Sequence, residues 1–159
     1  MEKKVDTNEI NKLFHEAVMC FNRPDAERAY KIFQKVIEKD PKFIIDEGGF
    51  TANNPYYYMG RYHDYYFDDF ETAIEYYTKS VELCPNDLES YELRGFCWLQ
   101  AKKYDLALED FRKVTKINGS ISGGTEIHPD LDGIIIELEN RLGGGKPNKE
   151  YDELFNSGI

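Results

Sequence analysis

Several things are missing from this sequence of 159 residues, and each absence narrows what the chain can be. No apolar run approaches the roughly 18–20 residues that a membrane-spanning helix needs. Met1-Glu2-Lys3-Lys4-Val5-Asp6 has no apolar stretch behind it, so no secretory leader is expected. Basic residues are short: 20 Lys and Arg stand against 30 Asp and Glu, a net charge of −10. A pI near 4.8 argues against a sequence-independent grip on nucleic acid or on an anionic membrane, both of which need a basic face. Cysteine is limited to Cys20, Cys84 and Cys97, an odd number without CxxC spacing. That fits thiols used for packing in a reducing compartment, and the expected location is cytoplasmic. Rings are not scarce. An aromatic content of 14% sets the chain apart from an acidic disordered tail.

What is present is a repeat. Ala29 is followed by Phe33 and Pro41, Ala73 by Tyr77 and Pro85 at the same offsets, and Ala107 by Phe111 and Gly119. Upstream of each lies a small residue: Ala17, Gly60 and Gly95. Two small residues let two helices approach. A ring four residues beyond the alanine shares its helical face and fills the space between units, and the closing Pro or Gly stops the second helix. The pattern predicts three helix–turn–helix units.

The units resemble tetratricopeptide repeats, whose pattern is W-x2-L-G-x2-Y, then A-x3-F, then P. The third reads Tyr91-x2-Arg94-Gly95-x2-Trp98, Ala107-x3-Phe111, Gly119. The second reads Tyr56-x2-Met59-Gly60-x2-His63, Ala73-x3-Tyr77, Pro85, and the first is weaker in its opening helix, Leu13-x2-Glu16-Ala17-x2-Cys20. The resemblance implies an all-α fold, an α-solenoid of antiparallel helix pairs wound as a right-handed superhelix. The chain divides into repeats at about 10–43, 53–87 and 88–121, an inserted loop at about 44–52, a capping helix at about 129–142 and a tail over 143–159. Ala29 and Ala73 are 44 apart, whereas Ala73 and Ala107 keep the family period of 34. Nine of the ten extra residues fall between units; the tenth is expected to lengthen the turn near His63 to Asp69. Leu131, Ile134, Ile135, Leu138 and Leu142 follow Pro129 at helical spacing, which suits a helix that covers the open end of the stack.

Catalytic and metal signals are weak. Gly143-Gly144-Gly145-Lys146 falls short of a phosphate loop, because Asn140 stands in the first glycine's place and Pro147 follows the lysine. His63-Asp64 and Asp68-Asp69 sit where acidic residues ordinarily face water, and Asp130-Leu131-Asp132-Gly133 lacks the closing Glu of a calcium loop. No nucleophile–base spacing stands out. No enzyme activity, cofactor or metal is expected.

In the family, first helices line a concave groove for a peptide. The resemblance therefore implies a binding face of Phe14, Val18, Tyr57, Arg61, Tyr65, Glu92, Phe96 and Gln100, with Asn11, Phe21, Asn22, Asp64, Glu89 and Leu99 beside them. Arg61 is placed to orient a ligand carboxylate or carbonyl, and the carboxylates to prefer a basic segment. Members that bind chaperone C-termini use a Lys/Asn/Lys/Arg clamp, and those positions here hold Phe14, Val18, Tyr58, Glu89 and Leu93, so a chaperone peptide is not expected. The function implied is a non-enzymatic module that binds a protein or peptide; the alternative is a self-associating assembly protein. Eight of the twelve tyrosines lie between Tyr56 and Tyr77, and the sequence leaves open whether they pack or make contact.

Overall fold

A computed structural model describes residues 7–22, 25–45, 53–121 and 127–156. Helices α1 (Thr7–Phe21) and α2 (Ala26–Lys39), α3 (Pro55–Phe67) and α4 (Phe70–Leu83), and α5 (Leu88–Gln100) and α6 (Tyr104–Ser120) form three pairs. Helix α7 (Leu131–Leu142) and the short α8 (Asp152–Asn156) follow. Among the described residues there is no strand, as expected of an all-α stack. The insertion falls mainly on 46–52, and the Gly123-Gly124 connection on 122–126; both lie outside the described residues.

The helix starts follow from local chemistry. Asn54, Asp69 and Asp87 each accept a hydrogen bond from the backbone N–H three residues on, at Tyr57 (3.1 Å), Thr72 (3.2 Å) and Ser90 (3.4 Å). Pro55 opens α3, where a missing N–H costs nothing. Two of these caps are wired together through the core. Asn54 Nδ2 donates to Ser80 Oγ (2.9 Å), Ser80 donates to Asp87 (3.1 Å), and Ser90 donates to Ser80 (2.9 Å). Asn54, Ser80, Asp87 and Ser90 are all buried. The network fixes the beginnings of α3 and α5 against α4, and so sets the spacing of the faces that form the groove.

The helix pairs close on the small residues. A methyl placed on Gly60 would lie 2.7 Å from the Tyr77 ring, and one on Gly95 would lie 2.5 Å from the Phe111 ring. Ala17, Ala29, Ala73, Ala107, Phe33, Tyr77 and Phe111 have no exposed surface. Arg94 grips Asp110 with two hydrogen bonds (2.8 and 2.7 Å) and reaches Thr78 (3.1 Å), joining α4, α5 and α6. On α7, Leu131, Ile134 and Leu138 are buried as the spacing predicts, while Leu142 at the frayed end is half exposed. Phe155 of α8 is buried against Tyr104 and lies beneath the Arg141 guanidinium, so the tail docks on the third unit.

One expectation is corrected. The extra residue of the second unit lengthens a helix and not a turn. Helix α3 runs seven residues past Gly60, whereas α5 runs five past Gly95, and the α3–α4 connection is only Asp68 and Asp69. Asp68 adopts a left-handed conformation (φ 51°), which stops the helix abruptly.

Two outcomes follow from this packing. Ala73→Leu, Ala107→Leu and Gly95→Ala each force a buried ring to move and should destabilise the stack by about 1–3 kcal/mol in chemical denaturation. Burial pushes the Asp87 carboxyl up to about 6, against the pull of the Ser90 and Ser80 hydrogen bonds. The folded state then holds this proton more tightly than the unfolded chain does, so its contribution to stability falls as pH rises from about 4 to about 6 and is level above that. Denaturation across this window should show that decline, by up to about 3 kcal/mol, and the Asp87→Asn variant should lack it.

Candidate functional site

The exposed faces of α1, α3 and α5 form the candidate groove. Its centre is Arg61, one helical turn beyond Tyr57 on α3. The guanidinium lies 5.5 Å from the centre of the Phe21 ring and 5.8 Å from that of Tyr57. Glu89, from the first turn of α5, faces the same pair. Burial, and then the Glu89 charge, push the Tyr57 hydroxyl well above the usual tyrosine range. Burial alone would lower Arg61, but Tyr57, Tyr77 and Glu89 outweigh it and hold the guanidinium above its ordinary value. Arg61 is thus a fixed cation.

Asp64 completes this face one turn further along α3 and accepts a hydrogen bond from the Tyr77 hydroxyl (3.3 Å). Burial raises its pKa, partly countered by that bond. The Cys97 thiol, buried beside Asp64, is pushed up first by burial and then by the Asp64 charge, so it is a poor nucleophile. Among the described residues no group of three or more His, Cys, Asp or Glu side chains is placed to hold a metal ion. No described helix is long and apolar enough to cross a membrane.

The structure distributes the sequence-predicted binding residues unevenly. Tyr57 and Arg61 meet, with Phe21, Asp64 and Glu89 around them. Phe14 does not line the groove: it is 2% exposed, with its ring against Phe33, Phe43 and Tyr58. Val18 is half-buried on the first-unit core. Tyr65 is 75% exposed at the end of α3, its ring against Tyr66. On α5, Phe96 packs edge-on against Phe111, and Gln100 is half-buried at the helix end. Glu92 accepts a hydrogen bond from the His128 backbone N–H (2.6 Å), and the His128 ring lies 5.3 Å from Phe96. The segment leading into α7 therefore sits against the candidate face at the third unit. Its position depends on the connection before α7, which carries no periodic signal. The tyrosine cluster divides: Tyr57 and Tyr77 are buried, Tyr58 stacks on Phe33, and Tyr65 and Tyr66 face solvent.

Helix pairs that stack through small residues and present first helices to one groove define an α-solenoid interaction fold. Residues 65–87 match the family model of the tetratricopeptide repeat. The chain is similar to the wheat (Triticum aestivum) Hsp70-Hsp90 organizing protein, 32% identical over 89 residues that make up 53% of this chain and 14% of that protein. It is also similar to the cattle (Bos taurus) SGT1 homolog, 29% identical over 128 residues, 77% of this chain and 36% of that protein. The matched stretch therefore spans little more than a third of either relative at most. Among solved structures, the fold matches the Yersinia enterocolitica type III secretion chaperone SycD in complex with a peptide of the translocator YopD, with a TM-score of 0.71, 13% identity, and 88% and 99% of the two chains covered. It also matches the first repeat domain of Spaghetti (RPAP3) bound to the HSP90 peptide SRMEEVD, with a TM-score of 0.66, 14% identity, and 87% and 97% covered.

The geometry separates packing from contact. Tyr57 is 7% exposed, so Tyr57→Ala should open a cavity and destabilise the fold by about 3 kcal/mol. Arg61→Ala should cost about 1 kcal/mol through its lost ring contacts. Urea denaturation of both variants checks the difference, and Tyr57→Phe, which keeps the ring, is the substitution for probing the groove.

Proposed function

We propose that this chain is a non-catalytic interaction module, working in the cytoplasm, that binds an extended segment of a protein partner along the face of α1, α3 and α5. The arrangement of Arg61 over Phe21 and Tyr57, with Glu89 opposite, carries this reading. It offers a rigid aromatic floor, which gives contact area at little entropic cost, and a rim on which carboxylates outnumber cations. Asp64 and Glu89 flank one guanidinium that already lies against two rings, and Glu92 adds a third carboxylate further along α5. The segment it suits has apolar side chains followed by lysine or arginine, drawn in by opposite charge.

The relatives with solved peptide complexes support a peptide ligand and leave its chemistry open. An acidic chaperone tail does not suit this groove. At the positions where chaperone-binding members carry their clamp, Phe14 is buried, Tyr58 is stacked on Phe33 and Glu89 has the wrong sign for a carboxylate. The second reading, self-association, is favoured by Ile136, which is 66% exposed on α7 and leaves an apolar spot on the capping helix.

Fluorescence anisotropy with synthetic peptides tests the groove. Peptides that alternate apolar residues with lysine or arginine should bind, with affinity that weakens as salt is added. Counterparts with glutamate in place of the basic residues, and SRMEEVD itself, should not. Glu89→Gln should weaken binding by about 1 kcal/mol. Equal binding of basic and acidic peptides would remove the groove from the account, and a native mass of two chains or more without peptide would favour the second reading.

A further inference from the structure

A depression of about 620 Å³ lies outside the groove, where α2 meets the C-terminal end of α3. Tyr30, Tyr62 and Phe67 give it aromatic walls, and Glu27, Lys31 and Asp69 bring charge to it. It exists because α3 overruns: the residues that α3 has beyond the equivalent end of α5 finish on Phe67, which is 60% exposed. The inner wall is held in place. His63 bridges Asp69 (Nδ1, 3.1 Å) and the Tyr30 hydroxyl (Nε2, 3.2 Å), Tyr30 meets the Tyr76 hydroxyl at 3.2 Å, and the Tyr30 and Tyr62 rings lie 4.5 Å apart.

The chemistry of an occupant can be read from how this chain treats its other rings. Lys79 lies over Tyr56 and Tyr76, Arg94 and Lys113 over Tyr91, Lys103 over Trp98, and Arg61 over Tyr57. Among the described residues, no lysine or arginine lies over Tyr62 or Phe67. Carboxylates are nevertheless at hand. Lys31, the cation in the depression, reaches along α2 to Glu27 (2.6 Å) instead of over a ring, and both members of that pair are largely in water. Exposed pairs of this kind are weak and exchange readily. Uncovered rings beside carboxylates, in a chain of net charge −10, match a cation that is also flat. A guanidinium lies flat on a ring and forks onto a carboxylate with two hydrogen bonds, whereas an ammonium, which this chain also sets over rings, meets both only as a point charge.

We propose that this depression is a second docking site, which takes an arginine side chain of a protein partner against Tyr62 and Phe67 and pairs it with Glu27. It lies off the Tyr57–Arg61–Asp64 face of α3, so it stands whether or not the groove binds a peptide. An aliphatic side chain would cover the rings but gain nothing from Glu27, whose exposed pair with Lys31 a guanidinium can replace.

Amide chemical shifts of the full, ¹⁵N-labelled chain test this, with N-acetylarginine amide as the probe and N-acetyllysine amide and N-acetylnorleucine amide as comparators. The arginine probe should produce saturable shifts over residues 27–34 and 62–69, stronger than those of lysine and far stronger than those of norleucine. Phe67→Ala, at a largely exposed position that does not threaten the fold, should weaken binding about 2–5-fold. Glu27→Gln should weaken it and flatten its salt dependence, and Glu139→Gln, at an exposed carboxylate of α7 outside both sites, should leave the shifts over 27–34 and 62–69 unchanged. The proposal is overturned if norleucine matches arginine, if Phe67→Ala binds like the parent, if no saturation is reached, or if the shifts concentrate on 57–61 and 89.

Discussion

A ring lying on a glycine sets the spacing of this stack. Tyr77 presses on Gly60 and Phe111 on Gly95 at distances that leave no room for a methyl group. Once each first helix sits that close to its partner, its opposite face is turned outward with its side chains at fixed angles. The wired caps at Asn54 and Asp87 then hold α3 and α5 in step along their length. The meeting of Arg61, Phe21, Tyr57 and Glu89, drawn from α1, α3 and α5, depends on both constraints.

Electrostatics divides along the same lines. The chain is short of cations, and it spends many of those it has on its own rings or on buried carboxylates such as Asp110. What is left on the outward faces of α3 and α5 is predominantly negative. The fold fixes where side chains point and not what charge they carry, so the sign of these faces is a property of this chain's own residues.

Much of this was legible in the sequence, for a physical reason: the alanine, the ring four residues on and the small residue upstream all answer to one close contact, so their spacing fixes which helices pair. The cap on the third unit was legible from Leu131, Ile134 and Leu138. The candidate site was less so. Helical projection places Phe14 and Val18 on the same arc as Tyr57 and Arg61, but Phe43, arriving after α2, and Tyr58, from α3, close over Phe14. Counting residues located the extra residue near His63 to Asp69 and assigned it to the turn, whereas helix α3 absorbs it. That was decided by one backbone conformation, at Asp68. His128 reaches Glu92 and Phe96 through a connection with no period to read.

The buried apolar residues do not form one continuous mass. One cluster fills the first pair and takes Met59 from α3, and another fills the third pair with α7 and α8. Between them sits a smaller group of Tyr57, Ala73, Ile74, Tyr77 and Cys97. Stability in such an array is a sum over units and the seams between neighbours. The middle unit is therefore a coupling element: it contributes less apolar mass of its own, meets the first unit through Tyr58 on Phe33 and the bonds from Tyr30 to His63 and Tyr76, and meets the third through the bond from Ser80 to Asp87. A molecule that bridges α1 and α5 across it would act as an external brace between two well-packed ends.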